Sequence, residues 1–184
     1  IDSPLLTSFF AFVYLPGYVS LLVFPFVAYL SLDDRRPLQE TAIAYAITYA
    51  VGLVCYVLFI SYGPRNLIPD LVAARLYVAY PETQLLTGEV NSNTNVFPSL
   101  HASLSVAVAA LAWRTRDTYP GWSVMSLVTA ACVSVSTMRL GIHWATDVVA
   151  GAVLGVASVA VAARVVDWRH ARKATDHESD APKA

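Results

Sequence analysis

The sequence predicts an all-α, membrane-embedded helical bundle, and three observations lead there. Hydrophobic residues make up 57% of the 184 residues and charged ones only 14%, against about 45–50% and about 25% for soluble domains. The mean hydropathy is +0.55, too apolar for a chain that must cover its own surface against water. Five apolar windows also come close to the roughly 20 residues that a helix needs to cross a bilayer. The net charge of −1 provides no field for holding nucleic acid. Cys55 and Cys132 lie in apolar runs without metal-ligand spacing, and read as small core residues rather than a disulfide or a zinc site.

The windows are 9–32, 41–61, 96–113, 121–138 and 143–163. The first contains Pro16, Gly17 and Pro25, which predicts a kinked helix whose freed carbonyls find neighbours. It is too long, and its flank too acidic, for a cleaved signal peptide. The chain starts at Ile1, and a sixth helix upstream is the expectation. Arginine and lysine set the orientation. Nine of them (Arg35, Arg36, Arg114, Arg116, Arg164, Arg169, Arg172, Lys173 and Lys183) lie on one side of five spans, and three (Arg65, Arg75 and Arg139) on the other. The nine mark the cytoplasmic side of a multi-pass cell-membrane protein, and residues 62–95 form an extracytoplasmic loop. Its first half, 66–80, reads as an interfacial helix. Residues 1–166 form the membrane domain, and 167–184 a charged, disordered cytoplasmic tail.

Ionisable groups within spans are costly and point to function. Three stand at span edges, His101, His143 and Asp147, with all other charges in loops or the tail. His143 and Asp147 are four apart, which on one helix places them on one face, so the carboxylate can orient the imidazole and leave its other nitrogen free. Pro98 suits the first turn of a helix. With Ser99, that helix start offers amides and a hydroxyl to an anion. The charge bias puts both helix starts on the same, extracytoplasmic side, where the two histidines can meet. The set suits phosphoryl transfer, with His143 as nucleophile and His101 as the acid and then the base. No cofactor is needed, since amides and a guanidinium can hold the phosphoryl oxygens. Two histidines and a carboxylate can instead hold zinc, which would leave the Pro98-Ser99 site unused. A transporter would place its polar groups near the midplane, whereas windows two and four are uncharged. A noncatalytic scaffold is a third reading.

At these residues the sequence resembles the type-2 phosphatidic acid phosphatase superfamily of membrane lipid phosphatases and phosphotransferases. Phe97-Pro98-Ser99-Leu100-His101 matches that family's Pro-Ser-Gly-His motif with Leu in place of Gly. The stretch from Ser136 to Asp147 matches its Ser-Arg-x5-His-x3-Asp motif at Ser136, His143 and Asp147. The motif's arginine falls at Thr137, and Arg139 is displaced by two positions. The family's first motif, a lysine with Arg-Pro after it, is absent; Arg65 is the candidate substitute and Arg75 a weaker one. The Phe-Pro-Ser-Leu-His form is closest to the inositol phosphorylceramide synthase-like branch, whose members transfer a phospho-headgroup to a lipid hydroxyl. The resemblance implies catalysis by His143, His101 and Asp147, phosphate binding by Ser99, Arg139 and Arg65, a membrane lipid phosphate as substrate and no metal. Gly151 and Gly155 form a small-xxx-small pair that admits another helix, from this chain or from a second copy in a homo-oligomer. Trp113, Trp122, Trp144 and Trp168 read as interfacial anchors.

Overall fold

A computed structural model describes residues 3–70 and 95–179. It consists of helices α1 (Pro4–Leu30), α2 (Arg36–Leu58), α3 (Pro64–Leu67), α4 (Leu100–Arg114), α5 (Pro120–Arg139) and α6 (Ala145–Ser179), with no strand among the described residues. Four of these, α1, α2, α5 and α6, are long and apolar enough to cross a membrane, and α4 is a shorter apolar helix of 15 residues. Fold class and membrane embedding therefore agree with the sequence, while the third window, 96–113, expected as a span, is a helix of 15 residues, only about 22 Å long.

The short helix is the centre of the bundle. It packs against α1, α2, α5 and α6, and Ala102, Leu104, Ala107, Val108, Leu111 and Ala112 on it are buried. Small residues let its neighbours approach. A Cβ on Gly151 or Gly155 would collide with the backbone carbonyls of Ser99 or Ser103, so the helix that the glycine pair admits is α4 of the same chain. The outer faces are the reverse of a soluble protein, with Val23 and Val27, Val54 and Val57, Leu127 and Val128, and Val153 and Val156 all exposed. That is the belt a hydrocarbon solvent selects.

Proline shapes α1. Pro16 lies in a π-helical turn, Val13–Gly17, the wider winding that accommodates a residue without an N–H. Pro25 leaves the Leu21 carbonyl without its usual partner, and the Tyr45 hydroxyl donates to the adjacent Leu22 carbonyl at 3.0 Å.

Several local expectations need correction. Helix α2 begins at Arg36, so Arg36 and Glu40 are helical rather than in a loop. Glu40 is 3% exposed. It accepts from Arg36 Nε at 2.8 Å and from Arg114 Nε and Nη2 at 2.8 and 3.0 Å, while Arg36 Nη2 donates to Asp167 at 2.6 Å. Helix α6 continues through Ser179 where a disordered tail is expected from 167. No Gly or Pro interrupts residues 156–179, and the Arg36–Asp167 pair holds the base of the extension against α2. Trp122 is buried, against Phe24, rather than interfacial. Both cysteines are free and only half-buried. The expected helix at 66–80 lies mostly outside the described residues.

Candidate active site

The α5–α6 turn sets the first half of the site. Gly141 has φ 71°, a conformation that costs any side-chain-bearing residue. Its N–H donates to the Met138 carbonyl at 3.0 Å and the Ile142 N–H to the Thr137 carbonyl at 2.9 Å, the paired bonds of a Schellman stop. The His143 N–H reaches the same Thr137 carbonyl at 3.2 Å. Leu140 and Ile142 pack with Ala11 and Tyr14 of α1. His143 is thus fixed through its backbone by the end of α5.

Helix α6 starts two residues later, at Ala145. Asp147 Oδ2 accepts the Trp144 N–H at 2.7 Å, satisfying an amide at the helix start from the third helical position. His143 and Asp147 therefore do not share a helix, contrary to the i,i+4 expectation. They still face each other. Nδ1 of His143 lies 3.8 Å from Asp147 Oδ2, with side chains 3% and 5% exposed. That is beyond hydrogen-bond reach, and Nδ1 has no hydrogen-bond partner.

The second half is the start of α4. Ser99 is its N-cap, with Oγ accepting the Ala102 N–H at 3.2 Å. Pro98 precedes the cap, after a cis Phe97–Pro98 bond, rather than occupying the first turn. Ser99 is fully buried, and a hydroxyl that accepts one bond still has its proton to give. The Ser99 N–H donates to the Asp147 carbonyl at 3.0 Å, tying the two helix starts together. Consequently His101 and His143, 42 residues apart in sequence, have ring centroids 5.9 Å apart.

Sequence reasoning did not find the residues that flank His101. Tyr14 and Tyr18 hold its ring at centroid distances of 4.8 and 4.7 Å. The signal was their four-residue spacing, which places Tyr14 and Tyr18 on one helix face.

Arg65 is 8% exposed, which rules out the snorkelling side chain that an interfacial position would suggest. Its N–H donates to the Gly141 carbonyl at 3.0 Å, and Trp144 Nε1 donates to the Tyr62 carbonyl at 2.9 Å. Gly63 lies so close beneath the Ile142 carbonyl that a Cβ would collide with it. The linker carrying Arg65 is therefore stitched to the turn carrying His143. Arg139 stands in the last turn of α5, and buried Thr137, at the motif's arginine position, donates its hydroxyl to the Ser134 carbonyl at 2.8 Å. Arg75 lies outside the described residues. No group of three His, Cys, Asp or Glu is placed to hold a metal ion among the described residues.

Two imidazoles face each other beside a helix start, a carboxylate lies behind one of them, and a buried arginine is anchored alongside. The family model described as the PAP2 superfamily matches residues 1–161. The chain belongs to the PAP2 superfamily. No curated protein and no solved structure matches it. As a PAP2 protein with several apolar helices, it is a membrane enzyme of the phosphatase type.

Proposed function

We propose that the protein hydrolyses or transfers a lipid phosphate ester or pyrophosphate at the extracytoplasmic membrane face, through a phosphohistidine. The observation that supports this best is the approach of His101 to His143, with Asp147 behind Nδ1 of His143. Because Nδ1 faces the carboxylate, Nε2 is the nitrogen left for the substrate. Nε2 attacks phosphorus, the bond to the leaving oxygen breaks, and that alkoxide takes a proton from His101. Water, or a lipid hydroxyl, then loses its proton to His101 as it attacks phosphorus. The N–P bond breaks, and both histidines return to their starting states. Positive charge developing on His143 is stabilised by Asp147 at 3.8 Å. Amides at the start of α4, the Ser99 hydroxyl, Arg65 and Arg139 hold the phosphoryl oxygens. The charge bias supports the extracytoplasmic face, since the site shares its end of the bundle with Arg65 and Arg139 rather than with Arg36, Arg114, Arg116, Arg164 and Arg169.

The test is phosphate release from a panel of lipid phosphates and pyrophosphates in detergent with EDTA, wild type beside His143→Ala, with products identified by mass spectrometry. Release that disappears in the variant supports the reading. A new phospholipid formed only when a hydroxylated lipid is supplied identifies a transferase of the kind that Phe97-Pro98-Ser99-Leu100-His101 resembles. Equal release by a folded His143→Ala protein sinks the proposed nucleophile.

A further inference from the structure

The end of the bundle remote from the histidines carries a recess rimmed by basic residues. A cavity of about 580 Å³ is lined by Gln39 of α2 and by Trp168, Arg169, His170, Arg172 and Lys173 of α6. Its size suits a small-molecule group. We infer that this recess binds the headgroup of an anionic phospholipid from the surrounding bilayer, and it needs none of the chemistry proposed for the other end.

Position comes first. From Ala145 to Ala163 α6 is apolar apart from Asp147 near its start, and those 19 residues rise about 28 Å, close to the roughly 30 Å of a hydrocarbon core. Arg164 is the first charge after that stretch. Trp168 to Lys173 therefore fall in the headgroup layer. Trp168 is 60% exposed, as an indole at that level is expected to be.

Charge comes second. Arg169, Arg172 and Lys173 follow the i, i+3, i+4 spacing that makes one helix face. Among the described side chains, two carboxylates at this end are already held, Asp167 by Arg36 at 2.6 Å and Glu40 by Arg36 and Arg114 at 2.8 Å. The lining cations are thus not neutralised by those carboxylates. Arg172 lies over the Trp168 ring at 5.6 Å, which limits its rotamers and pre-forms one wall. Basic clusters just beyond a membrane helix attract anionic lipid.

The experiment measures lipid retained by the full-length protein in native mass spectrometry, with phosphatidylglycerol and phosphatidylcholine of the same acyl chains. Wild type is expected to retain phosphatidylglycerol about tenfold better, with the preference shrinking in high salt. Arg169→Gln/Arg172→Gln/Lys173→Gln should abolish the preference, while Arg116→Gln, an exposed arginine of another loop, should keep it. Lipid held at the histidine end is untouched by either variant. Equal retention of both lipids by wild type, or an unchanged preference in the triple variant with native helix content, overturns the inference. So does glycerol phosphate in solution competing at the same concentration as the lipid, because the recess would then be a soluble-anion site.

Discussion

Both ends of the bundle bury charged side chains, but they treat them differently. Around Glu40 the carboxylate accepts three hydrogen bonds from two arginines, and one of those arginines bonds a second carboxylate. Around His143 the contacts are incomplete, with Nδ1 lacking a hydrogen bond and its carboxylate at 3.8 Å bonded to a backbone amide. Burial is nearly the same, 3% exposure for both Glu40 and His143. A buried charge with every bond made pins helices together, whereas one with capacity left over is available for a substrate. Exposure alone does not tell the two apart; bond completion does.

The contrast can be broken by exchanging the effects of substitution. His143→Ala should lower turnover by about 10⁶-fold, the scale for losing a nucleophile, with thermal unfolding in detergent little changed. A loss of the folded state instead would make that end structural. Glu40→Ala should do the opposite. It leaves Arg36 and Arg114, both more than a third exposed, without their shared carboxylate and should destabilise by about 1–3 kcal/mol, while turnover per folded molecule stays near wild type; a turnover defect at unchanged stability would couple the two ends.

Smaller effects sharpen the comparison. Asp147→Asn keeps an oxygen for the Trp144 amide but removes the charge facing Nδ1. About 10²-fold loss of kcat with preserved stability separates its electrostatic role from its capping role, and a stability loss of similar rank would assign it to capping alone. Gly141→Ala forces a Cβ onto φ 71° and should cost about 1 kcal/mol. Its kcat should fall as His143 shifts, and a denaturation midpoint equal to wild type would show that the turn relaxes freely.

Much of this was legible in sequence because membranes enforce simple rules. Long uncharged windows mark helices where backbone groups must bond internally, so α1, α2 and α5 were found with ends off by a few residues, and α6 with its start placed and its polar extension to Ser179 missed. His101, His143 and Asp147 stood out as polar groups at the edges of apolar runs. Their spacing misled in one respect. Four residues apart suggested a shared helix, but Asp147 binds the Trp144 amide, so the helix begins after His143. Glu40 was hidden because it stands where a loop was expected, and no local pattern announces Arg114, a partner 74 residues away. Tyr14 and Tyr18 were hidden for a related reason, since their spacing gives a shared helix face but not the remote imidazole that packs on it.

By itself the sequence determined the class of solvent, the helical architecture and the residue types available for chemistry. Each follows from local composition and from the cost of unpaired polar groups in hydrocarbon. Only the tertiary structure decided which of those residues meet. The Ser99–Asp147 backbone bond and the close fit of Gly151 against Ser99 bring two distant helix starts together. The Gly141 turn aims His143 between them, because contacts between remote segments depend on packing that no stretch of chain encodes alone.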